Sequence, residues 1–303
     1  MRVEQWSVHV RKEKGEDTRL SLLRRGILDR SLKIHTSGED LVFPVTSPEK
    51  GIAKEFFETL EIPPVLPRHE LIGGIALLQE KNEVEAERIL HSRPSLHTVL
   101  FPMSAVEGGY RIRRFEVLAG IPTTRTEYTE YGHRYVIDLG VAYFSPRLSE
   151  ERQRILHLMG RKEKVLDLFA GVGPFAITLS GQAFLIIACD INPDAVSLLL
   201  ENSTLNRCNN ILPILADASH LDGIIPWQFS RIIMNLPLSG QEYLEDAFSY
   251  CTSGGFIHFY ILQSKKGEYL PLIEQFPLSS VEERVVRSYS PDKWHAVYDI
   301  QVA

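Results

Sequence analysis

The chain has 303 residues, 44% of them hydrophobic, which is enough apolar material for a large core and enough length for two or three domains. No apolar run reaches membrane-spanning length, and the opening MRVEQWSVHV alternates polar with apolar as a half-buried strand does, unlike a signal peptide. The formal net charge of −6 weighs against a polyanionic partner, and Cys189, Cys208 and Cys251 lack CxxC spacing, so neither a metal site nor a disulfide framework is expected and a reducing cytoplasm is the simplest compartment.

In chain order, residues 1–50 read as a small α+β unit: a strand, a helix from about Asp17 to Arg25, and a short strand at Asp40-Leu-Val-Phe-Pro-Val, closed by the turn-rich Ser47-Pro-Glu-Lys-Gly51. The prolines of IPPVLPRHE mark an extended entry from residue 62. A second α+β unit, 62–145, follows, with a helix at Glu80–Ile89 and strands at Thr98-Val-Leu-Phe and Arg134-Tyr-Val-Ile-Asp-Leu. Pro146 then opens a helix leading into a third domain, 146–303.

That third domain holds the most informative run, Val165-Leu-Asp-Leu-Phe-Ala-Gly-Val-Gly-Pro-Phe-Ala-Ile177, an apolar strand passing through a glycine-rich turn into an apolar helix. Gly171 and Gly173 can take positive φ and carry no Cβ to block a ligand, and Pro174 suits the first turn of the helix. The spacing Gly171-x-Gly173-x-x-Ala176 fits either a nicotinamide cofactor or S-adenosylmethionine (AdoMet). Three further strands end in Asp190, Asp217 and Asn235-Leu-Pro237, so polar residues recur at the carboxyl edge of one open parallel sheet, where ligands bind. A single such Asp reads as a helix N-cap; the series reads as a site. His258 alternates within an apolar strand and reads as a core histidine. Against the acidic total, basic residues cluster at Arg11, Lys12, Lys14, Arg19, Arg24 and Arg25; at Arg111, Arg113 and Arg114; at Arg147, Arg152 and Arg154; and at Arg161, Lys162 and Lys164. Local patches bind phosphate whatever the net charge.

GGYRIRRFEVLAG (108–120), VAYFSPRLSEERQRI (141–155), DLFAGVGPF (167–175), CDINPDAV (189–196), IMNLP (233–237), GGFIHFY (254–260) and RSYSP (287–291), with KGEDTRLSLLRRGILD near the start, resemble in order the archaeal and eukaryotic tRNA (guanine-37-N1)-methyltransferase family. The likeness covers nearly the whole chain. It implies an α/β architecture in which a Rossmann-like AdoMet-dependent methyltransferase domain follows two smaller α+β domains, the first inspecting the tRNA body and the second contacting RNA. It also implies a cytoplasmic, monomeric enzyme with no metal and no membrane.

N1 of guanine carries a hydrogen, so methylation needs a general base near N1 and a donor or cation near O6, where charge builds. The resemblance makes Glu151 the base and Arg111 the O6 partner, with Asn235 and Pro237 in the catalytic turn. It gives the ribose to Asp190, the adenine face to Ile191 and its edge to Asp217 and Ala218. The amino-acid end goes to Asp167 and the Phe169–Gly173 loop, with Arg152 and Tyr143. From spacing alone Glu151 is a solvated acid in a helical first turn, and a shift of one residue would exchange it with Glu150. Many members carry Lys after Asn-Leu-Pro, and here it is Leu238. Tyr143, Phe144 and Tyr289 are candidate stacking surfaces for a splayed base. Competing readings are transfer of the aminocarboxypropyl group, or a further methylation, on a wyosine precursor; a nicotinamide-dependent oxidoreductase; and a catalytically silent tRNA-binding module.

Overall fold

The structure is a computed structural model that describes residues 2–47, 52–59, 66–104, 108–225 and 227–303. Contacts divide the chain into two units, Met1–Val65 and Leu66–Ala303.

In the first unit β1 (Arg2–Arg11), β2 (His35–Ser37), β3 (Asp40–Val45) and β4 (Lys54–Glu58) form an antiparallel sheet in the order β2-β3-β1-β4. Helix α1 (Gly15–Arg24) buries Leu22 against Phe43 and Val45. The unit runs past the expected limit at residue 50, because β4 pairs with β1 from Arg2↔Glu58 to Trp6↔Lys54. Residues 48–51 of the expected turn and 62–65 of the proline-rich entry lie outside the described residues. Some of the basic cluster is neutralised locally: Arg19 pairs with Glu16 and Arg11 with Glu39.

The second unit opens with a four-stranded sheet, β5 (His69–Ile72), β6 (Ile75–Leu78), β7 (Thr98–Pro102) and β8 (Phe115–Gly120), in sequential order. Helix α2 (Glu83–Ser92), capped by the Asn82 side chain on the Glu85 amide, buries Ala86 and Ile89 on it. A hairpin follows, β9 (Arg125–Glu130) and β10 (His133–Asp138). Then comes α3 (Ser149–Leu158), entered through a 3₁₀ turn at Pro146–Leu148.

The remaining strands, β11 (Glu163–Asp167), β12 (Ala183–Asp190), β13 (Ile211–Leu215), β14 (Phe229–Asn235), β15 (Cys251–Gln263), β16 (Leu278–Ser290) and β17 (Lys293–Val302), make a seven-stranded sheet in the order β13-β12-β11-β14-β15-β17-β16. The first five are parallel, and β17 is antiparallel to both of its neighbours. Strand order reverses between β11 and β14, so Asp167 and Asn235 flank the switch point at the carboxyl edge. Helices α4 (Pro174–Leu179), α5 (Pro193–Leu205), α6 (Leu244–Tyr250) and α7 (Leu270–Ile273) complete the unit.

One core joins what the sequence divides at residue 145. Ile72, Ile75 and Leu100 of the four-stranded sheet and Tyr135 and Ile137 of the hairpin pack in the same buried cluster as Ile155, Phe175 and Ile233. The hairpin is also tied to α5 by side-chain amides. Asn202 accepts from the Val136 amide (2.6 Å) and donates to its carbonyl (3.0 Å), and Asn206 does the same for Arg134 (2.9 and 2.6 Å).

Candidate active site

The glycine turn after β11 does two separate jobs. Gly171 has φ +55, and an added Cβ there would meet nothing nearer than the Tyr143 carbonyl at 3.7 Å, so its backbone faces open space. Gly173, φ +88, is the N-cap of α4, and an added Cβ would sit 2.2 Å from Leu199 Cδ1. Gly171 lines the cavity at this edge; Gly173 lies behind it and lets α4 close onto α5.

That cavity has a volume of about 330 Å³, within the range of small-molecule sites. Of the cofactor residues the resemblance implies, Tyr143, Phe169, Gly171, Asp190, Ile191, Asp217, Ala218 and Asn235 line it. Each acid is partly occupied already. Asp190 accepts from the Gly171 amide (2.7 Å) and the Asn192 amide (2.9 Å); burial raises its pKa while those amides oppose the rise. Asp217 caps a 3₁₀ turn through the Ser219 amide and hydroxyl (3.0 and 2.8 Å), so the cap and the site coincide in one residue. Half-exposed Ile191 presents an apolar face, and Phe169 is fixed by an edge contact with Tyr243.

Four expected contacts do not reach this cavity. Asp167 is 1% exposed; burial and then the neighbouring Asp190 push it up to about 8, against the amides of Phe169 and Ala176. Pro237 is buried, and its carbonyl accepts from the Leu262 amide (2.8 Å), while Leu236 accepts from Gly240 (2.8 Å). The Asn235 side chain is therefore the polar group this turn turns toward the cavity. Gly173 is the third. The fourth is Glu151, whose Oε2 accepts from Arg154 Nε (2.9 Å) and from the Tyr260 hydroxyl (3.2 Å). Tyr260 is the register partner of Asn235, which sets Glu151 against the strand next to the cavity wall.

Arg152 does touch the cavity, but its charge is spent elsewhere. Its guanidinium forks onto Glu130 (2.7 and 2.5 Å), with the two side chains 1% and 2% exposed, and lies over the rings of Phe144 and Phe175. Arg154 is likewise committed, to Asp299 (2.6 Å) as well as Glu151. Burial alone would raise the Asp299 carboxyl; hydrogen bonds from His258 and Arg154 hold it down to about 2. His258 is buried between Asp299 and Arg231, the core histidine its sequence context indicates. The expected basic cluster Arg147, Arg152 and Arg154 is thus already paired: Arg152 is buried in its ion pair, partly buried Arg154 is held by Asp299 and Glu151, and Arg147 is forked onto Glu70. Phe144 also departs from expectation, since it packs on Tyr128 and Tyr135 in the core.

Arg111 is the contrasting cation. It holds φ +55, a conformation few non-glycine residues adopt, and its guanidinium lies 4.9 Å from the Tyr143 ring centre. Among the described residues no carboxylate pairs with it, its Nε is buried without a partner, and burial lowers its pKa. It stands on the wall between this cavity and a second one. Residues 126–285 match the model described as the TRM5/TYW2 methyltransferase domain, and residues 7–54 match the tRNA methyltransferase 5 N-terminal domain.

The chain belongs to the TRM5/TYW2 methyltransferase family.

It is 33% identical to the tRNA (guanine(37)-N(1))-methyltransferase Trm5b of Pyrococcus abyssi, over 98% of this chain and 99% of that one. Its fold is similar to that in the solved complex of aTrm5 and tRNALeu, with a TM-score of 0.83 at 28% identity, covering 99% of this chain and 100% of the other. A structure of Methanocaldococcus jannaschii TYW2 in complex with AdoMet is more distant, with a TM-score of 0.61 at 26% identity, covering 77% of this chain and 98% of that one. Sequence reasoning missed Glu130, the partner of Arg152, and Tyr260, the partner of Glu151; the second lies in the quoted GGFIHFY run and is visible only through its register with Asn235.

Proposed function

We infer that the protein transfers a methyl group from AdoMet to N1 of guanosine 37 of tRNA, with Glu151 removing the N1 proton and Arg111 holding O6. The observation that carries the reading is Arg111, a desolvated cation without a carboxylate partner among the described residues, on a wall shared by two cavities, the first of which Asn235 also lines. Both full-length matching and the separate match of the N-terminal domain favour guanine methylation over aminocarboxypropyl transfer, since the TYW2 structure leaves about a quarter of the chain uncovered.

The cavity residues fit the methyl donor. The open face at Gly171, the acids Asp190 and Asp217, and the apolar Ile191 suit a ribose, an adenine and a cationic sulfur, and no metal is needed. When bound, AdoMet supplies an electrophilic methyl on a sulfonium, and the electron pair of the broken carbon–sulfur bond returns to sulfur. The chain's own task is positioning. Asn235 orients the base edge. Glu151 takes the N1 proton on Oε1, its Oε2 being held by Arg154 and Tyr260. Arg111, poor in hydrogen bonds before the guanine arrives, gains an acceptor in O6 as negative charge builds there. Three free thiols suit the cytoplasm.

Incubating the protein with labelled AdoMet and tRNA transcripts, then mapping the product, tests the reading. Label at N1 of guanosine 37, and none on transcripts carrying adenosine there, is the expected result. Equal labelling of both bases removes the roles of Arg111 and Glu151; label appearing only on a tricyclic wyosine precursor assigns the enzyme to that later step.

A further inference from the structure

The second cavity, about 250 Å³, shares Arg111, Tyr143 and Leu238 with the first but has the opposite chemistry. Four arginines line it, Arg111, Arg113, Arg147 and Arg287. Arg147 is neutralised by Glu70; no ion pair is seen for the other three among the described residues. The Nε atoms of Arg111, Arg113 and Arg287 are buried with no hydrogen-bond partner. An unpaired buried donor is costly, more so on a charged group. Three arginines without a carboxylate partner, lining one cavity, therefore mark a place for an anion that brings its own acceptors. His295, 7% exposed, lies against Arg287 with Nε2 3.3 Å from Nη2. Burial, then Arg287 and Arg111, push its pKa down to about 4, so at neutral pH it adds no charge and accepts from Arg287. Exposed Tyr289 lies 5.5 Å from the His295 ring, at the rim.

We propose that this cavity is a subsite for one backbone phosphate of the RNA next to the methylated guanosine, gripped by Arg113 and Arg287. The proposal rests on the function inferred above and adds residues to it. A nucleotide whose base passes Arg111 to reach Asn235 trails its sugar and phosphate back across the same wall, and the second cavity is what lies there. Guanidinium forks suit a phosphate with two free oxygens. Tyr289 at the rim offers a ring on which any neighbouring base can stack, without regard to sequence.

A coupled substitution in protein and RNA tests this. Transcripts are assembled with a single uncharged methylphosphonate linkage either 5′ or 3′ of guanosine 37, and tRNA dissociation constants are measured for wild type, Arg113→Ala and Arg287→Ala. AdoMet binding by each variant checks folding, and Arg113→Lys and Arg287→Lys carry the same comparison if an Ala variant fails to fold. One of the two linkages is expected to weaken wild-type binding about 10-fold, and to cost either Ala variant less than about 2-fold, because the interaction is already lost. The slope of log affinity against log salt is expected to fall by about one unit in each Ala variant. Losses that multiply for both linkages overturn the subsite. If wild type leaves guanosine 37 of the unmodified transcript untouched, the function inferred above is what fails, and the two failures cannot be confused.

Discussion

The two cavities meet at Arg111 yet are built in different ways. The first is assembled from consecutive strand ends of one parallel sheet: backbone amides, two acids and a glycine whose missing Cβ leaves room. The second gathers arginines from the segment before β8, from the entry to α3 and from β16, elements of two different sheets and a helix, nearly 180 residues apart in the chain at their extremes. Local geometry makes a cofactor pocket nearly independent of the rest of the fold, whereas a polyanion subsite exists only once the whole unit has packed. Charge satisfaction differs in the same sense. Arg152 and Arg154 found carboxylates during folding, while Arg111, Arg113 and Arg287 keep donors in reserve.

The comparison can be broken at its strongest point by Glu151→Gln, which keeps size and removes the proton acceptor. The single-turnover rate at saturating tRNA and AdoMet should fall about 10²-fold or more with little change in either dissociation constant, and the variant should lose the rise of rate with pH. Glu150→Gln should be nearly silent, because Glu150 is exposed and directed away from the cluster at Tyr260. The reverse pattern would hand the role to Glu150. Arg111→Ala should cost about 10²–10³-fold in the same rate while AdoMet binding stays intact; equal loss of both would make the shared wall structural.

Asp190→Ala acts on the first cavity alone and should weaken AdoMet by roughly 1–3 kcal/mol, with tRNA affinity nearly unchanged in a filter-binding titration. A separate effect, on stability alone, is expected at Asp167. Its folded pKa, about 8, lies above the unfolded carboxyl value, so the folded state binds the extra proton. The stability this contributes is complete below about pH 4 and is lost as pH rises toward 8. Asp167→Asn should therefore raise the melting temperature at pH 8 and not at pH 4. A gain of the same size at both pH values would separate the effect from ionisation.

The parallel sheet and its carboxyl edge were legible because strand, glycine turn and terminal acid are contiguous: the runs ending in Asp190, Asp217 and Asn235 carry their meaning locally. What was not legible was which polar side chains folding would pair off. Nothing near Arg152 in sequence announces Glu130, 22 residues earlier on a hairpin, and nothing near Glu151 announces Tyr260, 109 residues later. The same blindness grouped Arg147, Arg152 and Arg154 as one basic patch. Residue 145 looked like a boundary because Pro146 opens a helix leading into the glycine-turn domain, although the core continues through Tyr135, Ile137 and Phe175.

The amides of Asn202 and Asn206 have a consequence for what cannot bind here. Four residues of helix rise about 6 Å and two residues of strand about 6.6 Å, so side chains spaced i, i+4 on α5 can serve alternate residues of β10. To Arg134 and Val136 the helix offers donors and acceptors in the places where another strand would offer its own. The outer edge of a lone two-stranded ribbon, ordinarily an invitation to a passing extended chain, is thereby sealed from within the same molecule.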